Sequence, residues 1–388
     1  MSNHAKYRTT LFASSLFVAA IGLASPAHCA EAIRIGAVST ITGAFTFPES
    51  TAAAKAVFDR INQAGGIEGR KIEYLIEDDK GDPGVAAQAA HRLVDDKSVV
   101  VNVASASLPE CSANAAYYKS KNFLSVQGTG VDPVCFTSSN ISPVNTGPYL
   151  GLAISLYFAS EILHKADVCS FSSGIPIQAV GWQRAIDRYT RVTGKSLKVD
   201  DRTMQPTDDV TPLVLKAKRS GCEAVVFTGI EPQVVAWMQA VKEQGVTGIT
   251  WIFLTPAYTT NVAKVLGADG EGIYANSEFE PFLTSSETLK DWRQLMTSNN
   301  IQLTSFSEGG YLAATIIADV MKNIKGEVTR ESVTAALLAL DKYKTPLMGS
   351  SYSFGRDSAH NPNSSSKFVQ IKDGAWVVAT PDFVTLPN

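Results

Sequence analysis

From Ala32 onward, short β-like runs alternate with stretches of helical periodicity, and this alternation constrains the fold more than any other feature of the chain. Strands alternating with helices build βα units, and repeated βα units build a parallel sheet covered on both faces. Ile33, Ile35 and Ala37 alternate as a first strand. Residues 51–64 then place Ala54, Val57, Phe58 and Ile61 at helical spacing, and Gly65-Gly66 supplies a left-handed stop. A strand over 72–76, a helix over 83–96 with Pro83 in its first turn, a strand over 99–103, a helix over 109–121 and a strand over 123–126 complete a first half-sheet. Residues 142–148, with two prolines and a glycine, break the pattern. It restarts with a helix over 149–163 and strands over 167–171, 197–199, 224–227, 249–253 and 273–276, separated by helical stretches such as Val210, Leu213, Val214 and Ala217. The chain then turns mostly helical, over 286–298, 307–322 and 331–340, and ends in β-like runs over 352–354, 368–371 and 376–379.

At about 100 to 200 residues per domain, 388 residues predict two lobes. The second sheet already has a helix after nearly every strand, so the late helices are expected on the first lobe and the terminal strands on the second. The expected division is 31–144 plus 281–345 against 145–280 plus 346–388. The chain then crosses between lobes three times, near 142–146, 277–281 and 345–350, and such crossings make a hinge.

Residues 1–30 read as an export signal: Lys6 and Arg8, an apolar stretch over 11–24, then small residues around 27–30. The stretch is too short for a membrane span of about 20 residues, so the expected product is a soluble periplasmic protein. Removing it leaves 32 of the 34 Lys and Arg against all 37 Asp and Glu, a net charge of −5, which argues against nucleic acid as a partner. Cys29 leaves with the signal or lies at its edge, and Pro26 and His28 disfavour its lipidation. Four cysteines remain for an oxidising compartment. Cys111 and Cys135 fall at the same end of neighbouring strands, while Cys169 lies in the first strand of the second sheet and Cys222 just before its third. In a 2-1-3 strand order the first and third strands are adjacent, so the expected bridges are Cys111 with Cys135 and Cys169 with Cys222.

Ile35-Gly36-Ala37 followed by Thr42-Gly43, then Ile61-Asn62-Gln63-Ala64-Gly65-Gly66-Ile67-Glu68-Gly69-Arg70-Lys71, then Glu77-Asp78-Asp79-Lys80-Gly81-Asp82-Pro83, form an ordered series. Read alone, these are a helix stop and turn and a set of acidic caps, with Asp78, Asp79 and Asp82 where a strand ends and a helix begins. Read as a series, they resemble the substrate-binding proteins of branched-chain amino acid type ABC transporters. The resemblance implies an α/β fold of the type I periplasmic-binding-protein clamshell, two doubly wound parallel-sheet lobes joined by a three-strand hinge. It also implies a small-molecule ligand, a membrane permease as partner, a monomer, and no cofactor or metal.

In open α/β sheets ligands lie beyond the carboxyl ends of the strands, which singles out the loops after Val38, Val103, Val126, Phe171, Phe227 and Phe253. After Val103, Ser105 and Ser107 precede a helix opened by Pro109; they are an anion cradle, or else a simple N-cap. The resemblance favours the cradle, presents Thr129 to the ligand head group, and matches Phe47 to the family's first-loop aromatic. Trp182 is either a wall of the cleft or the packed face of a helix. Across the cleft Ile230, Ala257 and Tyr258 form an apolar and aromatic wall. The acidic residue with which the family pairs a ligand ammonium is missing from the Thr255 to Tyr258 loop, and Glu231 reads as a helix cap. The expected ligand is therefore a small carboxylate with an aromatic body and no ammonium, because a buried ammonium without counter-charge costs several kcal/mol. The alternative is an amino acid, should Glu231 turn into the cleft.

An enzyme is disfavoured, since His91, His164 and His360 are isolated from one another and from metal-ligand spacing, and no GxSxG elbow or Walker loop occurs. A ligand-sensing subunit of the same fold is the remaining rival.

Overall fold

The computed structural model describes residues 1–6, 31–43, 45–205 and 207–387. The export signal and Cys29 fall largely on residues 7–30 and lie outside the described residues. No helix of the described residues is long and apolar enough to cross a membrane.

The first sheet holds β1 (Ile33–Ser39), β2 (Ile72–Asp78), β3 (Asn102–Ser107), β4 (Ser125–Gly130) and β5 (Ile141–Pro143), in the order β2-β1-β3-β4-β5 and parallel throughout. Its crossovers are α1 (Pro48–Gln63), α2 (Pro83–His91) and α3 (Glu110–Ser120). The chain enters the second sheet through α4 (Gly147–Tyr157). There follow β6 (Val168–Ser173), α5 (Ala179–Thr193), β7 (Val199–Met204), α6 (Thr211–Arg219), β8 (Ala224–Phe227), α7 (Glu231–Glu243), β9 (Thr250–Phe253), α8 (Thr260–Leu266) and β10 (Tyr274–Ser277). Three later helices, α9 (Lys290–Ser298), α10 (Ser305–Lys322) and α11 (Arg330–Leu338), precede β11 (Ser365–Lys372), β12 (Ala375–Val378) and β13 (Val384–Thr385).

The second sheet runs β12-β11-β10-β9-β8-β6-β7, with β13 paired to β11. Only β6 to β10 are parallel; β11 is antiparallel to β10, and β12 and β13 are antiparallel to β11. The terminal strands join the second sheet, as read from sequence, and they add to its parallel part in the antiparallel sense. A chain returning after β10 adds its last strands by a hairpin, and Asp373 and Gly374, both at positive φ (51° and 75°), make the two-residue turn between β11 and β12. The run over 352–354 forms no strand; Tyr352 makes an isolated bridge with Tyr343.

The four cysteines pair as Cys111–Cys135 and Cys169–Cys222, with Cα atoms 5.2 and 5.9 Å apart. Asp82 caps α2 by accepting from the Val85 N–H, and Asp78 accepts from the N–H groups of Ile41, Thr42 and Lys80, so these acids serve the backbone.

α10 lies across α1 and the sheet at β3 and β4 at very short range. A Cβ on Gly310 would stand 1.9 Å from the Ser50 carbonyl oxygen, and one on Gly309 would stand 2.1 Å from that of Gly128. The Thr304 and Ser307 side chains close a reciprocal cap at the start of α10 and fix where Phe306 points.

Candidate ligand cleft

A cavity of about 120 Å³ opens between the two sheets at the carboxyl ends of their strands. All six of the strand-end loops read from sequence reach it: Phe45 and Phe47 after β1, Leu108 after β3, Val131 after β4, Ile175 after β6, Thr228 after β8 and Leu254 after β9. Phe306 of α10 completes the aromatic wall, its ring 5.4 Å from that of Phe47 and nearly perpendicular to it.

Of the residues expected at the site, Phe47, Thr129, Trp182 and Ile230 line the cavity. Trp182 does both things foreseen for it: it packs against Tyr149, ring centroids 4.8 Å apart, and it borders the cavity. Its Nε1 and the Thr129 Oγ1 are buried without a hydrogen-bond partner.

Ser105, Ser107 and Tyr258 are not among the lining residues, and each is held elsewhere. Ala104 has φ 61°, and the pairing of β3 with β4 slips on either side of Ser105, so a bulge interrupts the ladder. Serine hydroxyls make the missing bonds: Ser105 Oγ accepts from the Val38 N–H at 3.1 Å, and Ser39 Oγ accepts from the Ala106 N–H at 2.9 Å. The Ser50 hydroxyl donates to the Ala104 carbonyl at 2.9 Å. Ser107 donates to the buried Asp79 carboxylate and accepts from the Glu110 N–H, capping α3. The expected anion cradle is thus spent inside the first lobe. Tyr258 is 1% exposed; its hydroxyl accepts from the Leu283 N–H, and its ring lies on Phe282 and against Trp376. It belongs to the core.

Glu231 stays out of the cleft. Its carboxylate accepts from the Thr259 hydroxyl at 2.7 Å and the Asn261 amide at 2.5 Å, tying α7 to α8.

The acid that does line the cleft is Glu278, just after β10. It is 4% exposed, and burial pushes its carboxyl up to about 7 against the opposing pull of the Gly147 N–H and the Asn145 amide. Those two donors meet Oε1 at 2.6 and 3.1 Å. Among the described residues that line the cavity there is no Lys, Arg or His. Glu278 falls in the stretch read from sequence as a lobe crossing, where an acid between Ser277 and Phe279 carries no local sign of facing a cavity.

Two lobes, each a sheet with its own helices, and a largely apolar cleft at the strand ends define a binding clamshell. Residues 32–375 match the model of the periplasmic binding protein family, and the chain belongs to it. It is 25% identical over 348 residues to the leucine-, isoleucine-, valine-, threonine-, and alanine-binding protein of Pseudomonas aeruginosa, covering 85% of this chain and 88% of that one. Two solved structures share the fold at 17% identity and TM-score 0.75. One is the branched-chain amino acid transporter substrate-binding protein of Streptococcus pneumoniae in complex with isoleucine, covering 91% of this chain and 99% of that one. The other is the fatty acid ABC transporter substrate-binding protein of Thermomonospora curvata, covering 92% and 93%.

Proposed function

We propose that the chain is an extracytoplasmic solute-binding protein that closes its two lobes over one small organic molecule with an apolar body and delivers it to an ABC permease. The observation that carries this reading is the apolar cleft at the strand ends, walled by Phe45, Phe47 and Phe306 from one side and by Trp182 and Ile230 from the other. The proposed lobes are residues 31–144 plus 281–345 and 145–280 plus 346–388, moving about the three crossings. Each lobe offers part of a site, so a ligand touching both favours the closed state by its differential contacts. Thr129 and Trp182 offer it unpartnered donors.

The aromatic half of the expected ligand has gained Phe45 and Phe306 as support. Its carboxylate half has lost Ser105 and Ser107 and retains Thr129. The amino acid alternative is favoured by Glu278, by the named ligands of the Pseudomonas relative and by the isoleucine of the Streptococcus structure.

Small-angle scattering combined with a thermal-shift screen across amino acids, amines, aromatic acids and fatty acids tests the reading. The expected result is one solute class that raises the melting temperature and shrinks the radius of gyration. An unchanged scattering curve with every solute would refute it.

A further inference from the structure

Glu278 stands where the chain passes between the lobes, and its bonds reach the neighbouring crossing near 142–146 and the approach to β11. Its Oε1 takes the Gly147 N–H at the start of α4 and the Asn145 amide, and its main-chain carbonyl takes the Asn363 amide ahead of β11. Oε2 has no hydrogen-bond partner among the described residues. A buried acid with one satisfied oxygen at the wall of an apolar cavity is costly unless a donor arrives to meet the other.

We propose that Glu278 is the residue that selects the ligand, by receiving a primary ammonium carried on an apolar body, and that it ties this contact to the hinge. The proposal rests on the solute-binding reading and names its head group. An ammonium placed on Oε2 forms the charge-assisted bond that the cleft otherwise lacks, while the apolar body lies against Phe47, Phe306 and Trp182. A ligand carboxylate alone meets one acid and no cation. Because Gly147 and Asn145 already hold the same carboxyl group, ionising it strengthens their bonds across the crossing as the ligand binds.

Binding of an ammonium requires the ionised acid, whose carboxyl is held near 7, so affinity falls as pH drops below that value. Other titratable groups around it are accounted for. Glu308 of α10 faces it without a partner, Arg293 and Tyr258 face Glu308, and Glu280 on the same crossing is paired with Lys367 of β11 at 2.8 Å.

Isothermal titration with two isosteric trios decides the matter: leucine, 3-methylbutylamine and 4-methylpentanoate; phenylalanine, 2-phenylethylamine and 3-phenylpropanoate. In the wild-type protein we expect at least one ammonium-bearing probe to bind and its matching anion to fail. The amine arm separates an amine receptor from an amino acid receptor. Affinity for the binding probe should fall about tenfold per unit as pH goes from 7 to 5. Glu278→Gln, which keeps an acceptor for Gly147, should weaken binding by roughly 30-fold or more and remove that pH slope. The assignment fails if the anions bind better than the ammonium probes, or if Glu278→Gln folds and keeps both affinity and slope. It also fails if none of the six binds while another solute compacts the protein, an outcome that leaves the solute-binding reading intact. Should Glu278→Gln not fold, the wild-type trios and their pH slope decide alone.

Discussion

At the scale of single residues, the buried acids set how this protein responds to pH. Glu308 is 0% exposed in the first turns of α10, and neither carboxyl oxygen has a hydrogen-bond partner. Burial pushes its carboxyl well above the ordinary range, with Glu280 adding in the same direction. Glu110, buried beneath Tyr118 and Gln127, is pushed up to about 8, again chiefly by burial. An acid whose folded value lies above its unfolded one stabilises the fold fully below the unfolded value of about 4.5, and that stability is lost as pH rises through the folded value. Stability should therefore decline between about pH 5 and pH 8. Replacing Glu308 with Met removes a desolvated acid at similar volume, and we expect it to raise stability at pH 8 by about 1 to 3 kcal/mol and to flatten part of the decline. Denaturant titrations at pH 5 and pH 8 check this; a variant with the wild-type slope would show that Glu308 keeps no proton.

At the scale of elements, the contact of α10 with α1 and β4 holds Phe306 and Thr129 on the same cavity. It depends on Gly310, whose missing side chain lets two backbones meet. Gly310→Ala would press a methyl to 1.9 Å from the Ser50 carbonyl, a backbone atom that cannot swing aside. The expected cost is about 3 kcal/mol, at the high end for overpacking, together with weaker ligand binding because the aromatic wall shifts. Equal stability of the variant in guanidinium melts would mean that the helices separate freely. The glycine pair was present in the sequence but carried no sign of this role, because a close approach between elements far apart in the chain leaves no local pattern. The start of β3 was misread for a related reason. The valine run over 99–103 looks like the strand, yet the strand is Asn102–Ser107, made of small residues that a bulge and three serine bonds require.

At the scale of the whole molecule, each disulfide closes within one lobe. Cys111–Cys135 joins the first turn of α3 to the turn after β4, and Cys169–Cys222 joins β6 to the approach of β8. With sequence separations of 24 and 53, loop-closure entropy assigns them about 3.5 and 4 kcal/mol. Neither crosses the hinge. Changing Cys169 and Cys222 together to Ser should lower stability by roughly 2 to 4 kcal/mol while leaving the ligand-dependent decrease in radius of gyration intact. Loss of that compaction in a variant that remains folded would mean that the bridge sets the lobe geometry, and the independence of the lobes would be lost with it.

The sequence by itself determined the βα grammar, the 2-1-3 strand neighbours that bring both cysteine pairs together, and the set of strand-end loops that reach one cleft. These follow from periodicity, turn chemistry and strand order, which are written locally or by topology. Which side chains face the cleft was decided only by the tertiary structure. Ser105 and Ser107 look like an anion cradle until the bulge at Ala104 and the buried Asp79 claim their hydroxyls. Glu278 looks like a linker residue until Gly147 and Asn145, more than 130 positions away, hold one oxygen and leave the other free. A polar group's role depends on which partners reach it first, and those partners are brought by the folded chain from distant positions.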